Sequence, residues 1–76
     1  MSRNVADDAT AGIAGRIRAE MARQDRRHRE LGELLGVAQP SATRRLRGTT
    51  PFRADELVRV ARWLDVPVSE LIQDAA

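Results

Sequence analysis

Apolar residues along this chain recur three and four positions apart, with no stretch of strict alternation, so the pattern predicts helices and no strands. Ile13, Ile17 and Met21 fall at i, i+4 and i+8 and mark a first helix over residues 9–24. Asp7, Asp8 and Thr10 are available near its start for capping and for its positive end. Leu31, Leu34 and Leu35 mark a second helix over residues 28–35, closed by Gly36, a residue type that tolerates positive φ at a helix end. Val37 then falls where an apolar side chain packs back, on Leu31. Neither Arg27 nor His28 is a good cap for this helix; Glu30 can reach back as half of a capping box, or Asp25 can cap an earlier start.

A third helix spans residues 39–47, with Pro40 in the first turn, where no intrahelical N–H is lost, and with Ala42 and Leu46 facing inward. Pro40 leaves open whether Gln39 is the cap or the first helical residue. Gly48, Thr49, Thr50 and Pro51 form a loop. The fourth helix, residues 53–64, turns Leu57, Val60, Ala61 and Leu64 inward, and Pro67 opens a fifth to residue 73, in which Val68, Leu71 and Ile72 close the core. Residues 1–8 lack periodicity and read as a flexible tail; residues 9–76 read as one domain.

The second and third helices, hinged at Gly36, carry the candidate chemistry. Gln39, Pro40, Thr43, Arg44 and Arg47 share a donor-rich stripe away from Ala42 and Leu46. Arg45 points nearly opposite that stripe and reads as ion-paired within the domain. A short helix held by a companion and showing Gln, Thr and Arg suits the major groove of DNA.

Gly-Val-Ala-Gln-Pro-Ser-Ala-Thr-Arg-Arg-Leu-Arg-Gly at residues 36–48, preceded by Arg-Glu-Leu-Gly-Glu-Leu-Leu, resembles the helix-turn-helix of lambda-repressor-like (Cro/CI-type, XRE-like) DNA-binding domains. The likeness continues through Pro-Phe-Arg-Ala-Asp-Glu-Leu-Val-Arg-Val-Ala-Arg-Trp-Leu-Asp-Val-Pro-Val-Ser-Glu-Leu and covers residues 13–72. Arg27 and His28 stand where such domains often have a Ser cap and a Gln, Gly32 where Ala is usual, and Ala38 where Ser often caps the recognition helix. Some members bury an Arg–Glu pair between the first and third helices; the matching positions are Met21 and Leu46.

The resemblance implies a compact all-α bundle of five helices that binds double-stranded DNA as a homodimer and regulates transcription as a phage-like or bacterial repressor. On this reading Gln39, Pro40, Thr43 and Arg44 meet bases. Arg27, His28, Arg29, Ser41, Arg47, Thr49 and Thr50 meet the DNA backbone; Trp63 and Val58 lie off the apolar stripe of the fourth helix, where Trp63 either covers the joint with the fifth helix or, with Val58, makes a dimer or partner contact.

Composition narrows the alternatives. A chain of 76 residues has a modest core and a stability of a few kcal/mol. With no cysteine and one histidine it offers neither a disulfide framework nor a zinc site, and no leader or spanning segment is visible, so a cytoplasmic, nucleoid-associated protein with no membrane partner is expected. All 13 basic residues are arginine, and the net charge of +2 conceals an asymmetry. Residues 23–53 carry eight arginines against three carboxylates, a local +5 that coincides with the helix-turn-helix.

Catalysis finds little support. His28 lacks a nucleophile or carboxylate partner, Asp55 and Glu56 read as stabilisers of the fourth helix's positive end, and no glycine loop cradles phosphate, so neither an enzyme nor a cofactor is expected. Two rivals stand beside the DNA reading: an antitoxin or adaptor module that binds protein, and a small RNA-binding domain. The second has only Phe52 and Trp63 for base stacking.

Overall fold

The computed structural model describes residues 5–73, which form five helices and, among those residues, no strand. They are α1 (Val5–Arg23), α2 (His28–Leu35), α3 (Gln39–Arg47), α4 (Ala54–Leu64) and α5 (Val68–Ile72). The all-α class and the helix order match the hydrophobic pattern, but several ends differ. α1 starts at Val5, so residues 5–8 of the expected tail are helical; residues 1–4 lie outside the described residues. Asp7, Asp8 and Thr10 consequently lie within α1 and not ahead of it. Acidic residues in a first turn complement the exposed N–H groups there, which favours the longer helix.

The inward stripe of α1 is Ala14, Ile17 and Met21, with Ile13 only partly buried. A strict four-residue step rotates by about 80° over eight residues, so Ile13 has drifted off the face that Met21 occupies. Met21 and Leu46 both lie in the core, as an apolar pair. Ile17, Leu31, Leu46, Val60, Leu64 and Leu71 are the largest fully buried side chains, each worth about 1.5–3 kcal/mol on removal from water.

α2 begins at His28 after Arg27, whose N–H donates to Glu30 Oε1 at 2.9 Å, the half capping box expected. Asp25 is not a cap: it sits in the α1–α2 turn with φ 57°. At Gly36 the backbone reaches φ 67°, and the N–H of Val37 closes onto the Gly32 carbonyl at 3.1 Å. That left-handed residue reverses the chain within three residues, from α2 into α3. Ala38, extended at ψ 154°, is the cap of α3, so Gln39 is its first helical residue.

Gly48 ends α3 at φ 81°, and a Cβ there would lie 3.1 Å from the Ala11 Cα, so the turn rests directly on α1. α4 follows with Arg53 as cap, its N–H donating to Glu56 Oε1 at 2.9 Å. Leu57 is half-buried, while Val60, Ala61 and Leu64 are buried as expected. Pro67 caps α5 from outside. The core closes on Leu71 with Val68 half-buried, whereas Ile72 is 45% exposed, because a five-residue helix has room for one inward stripe only. α3 is thereby packed on α1 and α2, and α4 on α2 and α5.

Candidate nucleic-acid interface

The orientation of α3 follows from what it buries. Ala42 is 0% and Leu46 1% exposed, so the opposite face, with Pro40, Arg44 and Arg47, stands in solvent. A second restraint acts from the side. Arg45 grips Glu56 of α4 with both ends of its guanidinium, Nε to Oε1 at 3.1 Å and Nη2 to Oε2 at 3.2 Å, while Nη1 donates to the Ser41 carbonyl at 3.2 Å. The main packing of α4 is on α2 and α5, so this pair braces α3 against α4. Burial pushes the Glu56 carboxyl up, but the Arg45 hydrogen bonds, the Arg53 N–H and the Arg45 charge outweigh it and hold it below the ordinary carboxylate range. The pairing of Arg45 within the domain agrees with its place on the helical wheel. Its partner was not visible in the sequence, where Glu56 reads only as a helix-end residue.

Gln39 is exposed at the start of α3, with Nε2 donating to the Arg29 carbonyl at 3.3 Å. Its place depends on Gly32: a Cβ on that residue would come within 2.5 Å of Gln39 Nε2, so the missing side chain leaves room for the Gln39 amide. Arg44 extends into solvent with Nη2 on Ser41 Oγ at 3.2 Å; Ser41 itself is half-buried. Arg27 and Arg29 are exposed along the start of α2, and Arg29 pairs with Glu33 at 3.6 Å. Thr49 is exposed, but its hydroxyl donates to the Arg44 carbonyl at 3.1 Å. The N–H groups of Thr49 and half-buried Thr50 reach the same carbonyl, so both residues first of all close the end of α3.

His28, Thr43 and Arg47 meet around a depression of about 440 Å³ whose remaining lining is Arg18 and Leu46. Arg18 comes from α1 and donates through Nη1 to the Leu46 carbonyl. Nothing in the spacing of α1 signals this, since the contact joins residues 28 positions apart. Thr43 is half-buried here, on the side of α3 towards the start of α2.

Ion pairing sharpens the charge pattern. Among the described residues, Arg18, Arg27, Arg44 and Arg47 have no carboxylate partner, whereas Arg23, Arg26, Arg29, Arg45, Arg53 and Arg59 do; Arg62 on α4 is the unpaired residue away from this face. The uncompensated charge therefore gathers beside α3. Trp63, by contrast, is half-buried under Arg26, whose guanidinium lies 4.9 Å from the ring centroid and donates to the Trp63 carbonyl at 3.3 Å. Trp63 is thus packed beneath the α1–α2 turn, and Val58, 40% exposed, is the open apolar residue on α4. Among the described residues no group of His, Cys, Asp and Glu could hold a metal ion, and no helix is long and apolar enough to cross a membrane.

A family model described as the BetR domain matches residues 8–76. The chain belongs to the BetR domain family. The match takes in four helices whole and α1 from Asp8 onward, and the small helical BetR domain is consistent with a DNA-binding-like, regulatory fold. No curated protein and no solved structure matches the chain.

Proposed function

We propose that this BetR domain binds double-stranded DNA and regulates transcription in the manner of the Cro/CI-type repressors, with α3 in the major groove. The observation that carries the reading is the solvent face of α3: a short helix fixed from behind by Ala42 and Leu46 and from the side by the Arg45–Glu56 pair, with uncompensated Arg44 and Arg47 in front. Rigid presentation of a few polar side chains is what reading base edges requires. Gln39, Pro40 and Arg44 are assigned to bases, with Thr43 at the groove edge. Arg27, His28, Arg29, Ser41 and Arg47 are assigned to the backbone, with Thr49 and Thr50 contributing once the α3 end is against phosphate. The protein acts by binding, not by catalysis, needs no cofactor, and works in the compartment that holds DNA.

Selection of bound duplexes from a random library tests this, followed by titration of the preferred site across salt. Each phosphate neutralised contributes about −0.9 to the slope of log affinity against log salt, so a face with five or so such contacts has a slope near −4 to −5. Affinity that is flat between low and physiological salt, or a library that yields no preferred sequence, rules the reading out.

One recognition helix touches only a few base pairs, so the proposal includes a second copy related by two-fold symmetry, with the open Val58 side of α4 as its contact and half-sites about 34 Å apart or a multiple of that. Light scattering on the DNA complex should give two chains per site. One chain on an asymmetric site would refute the dimer while leaving DNA binding intact.

A further inference from the structure

Gly32 lies in the middle of α2 and is buried. Its backbone does not call for glycine: the glycines with positive φ among the described residues are Gly36 and Gly48. Within a helix glycine is also less favourable than alanine, so the residue carries a cost that its own conformation does not explain. What its missing side chain does is leave room across the turn. A Cβ on Gly32 would lie 2.5 Å from Gln39 Nε2, and 3.3 Å from both Gln39 Cδ and the Val37 carbonyl oxygen. The Val37 contact needs a shift of only a few tenths of an ångström; the contact with Nε2 would force the amide to move away.

Gln39, the first residue of α3, is exposed, yet its amide is anchored on α2 through Nε2, which donates to the Arg29 carbonyl at 3.3 Å. A carbonyl oxygen only accepts, so the nitrogen end of the amide must face α2, and turning the amide over would set oxygen against oxygen. One N–H is thereby engaged. The amide oxygen and the second N–H have no partner among the described residues.

We infer that Gly32 determines specificity: the notch it leaves in α2 fixes the Gln39 amide with its acceptor and donor ends assigned, so that Gln39 selects adenine. The inference rests on the DNA reading above and names the base that Gln39 meets. An amide oxygen beside an N–H matches the N6–H and N7 of adenine in the major groove, whereas guanine presents two acceptors there. A glutamine free to turn its amide can offer its nitrogen to guanine as well; one held on α2 keeps the adenine pattern. It also has less rotamer freedom to lose on binding. Gly32 is buried and touches no base itself, so it acts as a positioning residue through Gln39.

The experiment measures affinity for the selected duplex and its single-base variants with the unaltered chain, Gly32→Ala, Gln39→Ala and the double variant. Gln39→Ala should lower the preference for adenine over guanine by about tenfold at one base pair, which locates the contact. Gly32→Ala should lower the same preference by about threefold or more and leave the other base pairs as they were. In the double variant Gly32→Ala should add nothing, since no amide remains to be displaced. In the unaltered chain without DNA, NMR should show a nuclear Overhauser contact between the Gln39 side-chain amide protons and the Gly32 Hα protons. Undiminished adenine preference in folded Gly32→Ala overturns the inference and leaves the DNA reading standing. So does loss of a base other than adenine in Gln39→Ala, or an effect of Gly32→Ala that persists without the Gln39 amide. If Gly32→Ala does not fold, the NMR contact decides: its presence upholds the anchored amide and its absence overturns it. Failure of the unaltered chain to select any duplex overturns both readings.

Discussion

Glu56→Ala should cost the domain about 3 kcal/mol, enough to unfold a large share of the molecules at room temperature. Glu56 is 5% exposed and holds Arg45 by two hydrogen bonds while capping the Arg53 N–H. Truncating it leaves a mostly buried guanidinium without its carboxylate, the situation in which loss of one partner of an ion pair costs about 3–5 kcal/mol. A 76-residue bundle has only a few kcal/mol to lose. Replacing both partners with apolar residues of similar length, Arg45→Met with Glu56→Leu, should restore most of the midpoint in urea, because no charge then remains to be solvated. The acid limb follows the same logic. Folding holds the Glu56 carboxyl below its unfolded value, so its contribution is complete above the unfolded value and is lost as pH falls through the folded one. Glu56→Gln should accordingly flatten the dependence of stability on pH in the acid range. A Glu56→Ala midpoint within about 1 kcal/mol of the unaltered chain would mean that the pair behaves as a surface contact.

Helix order was legible because each helix owes its stability to one apolar stripe and its ends to local chemistry. Gly36 and Gly48 lie where the chain takes positive φ, and Glu30 reaches back to the Arg27 N–H as its spacing allows. What escaped depended on position in space. Ile72 continues an apolar run, yet α5 is too short to turn it inward. The ion pair that fixes α3 could not be read from Arg45 or Glu56 singly, since each has an ordinary local explanation. The apolar Met21 and Leu46 show that this chain braces its third helix from α4 and not by a charge pair to α1. Arg18 escaped for a related reason: its partner is a backbone carbonyl, which carries no sequence signal. The solvent face of α3 was legible in the sequence because periodicity alone places Arg44 opposite Ala42 and Leu46, although Thr43 of the same stripe is half-buried.

Arg44→Ala should cost about 1–3 kcal/mol on the preferred duplex and relax selection at one base pair, while Arg47→Ala should weaken all duplexes by a similar factor and leave selection intact. The two arginines differ in place. Arg44 lies mid-helix on the face turned furthest from the core, with its guanidinium held near Ser41 Oγ and no carboxylate to release before it reaches a guanine edge. Arg47 is the last residue of α3 and lies at the depression with Arg18 and His28, where the DNA backbone would run. The planar fork of arginine can meet guanine O6 and N7 together, which the single ammonium of lysine cannot. Arg44→Lys therefore keeps the charge and removes the geometry: its salt slope should match that of the unaltered chain, but its preference at that base pair should fall towards that of Arg44→Ala. Helix content should be unchanged in all three variants, because neither side chain enters the core. The decisive measurement is affinity of Arg44→Lys for the selected duplex and for each single-base variant of it. If discrimination survives undiminished at every position, Arg44 supplies charge and does not read a base.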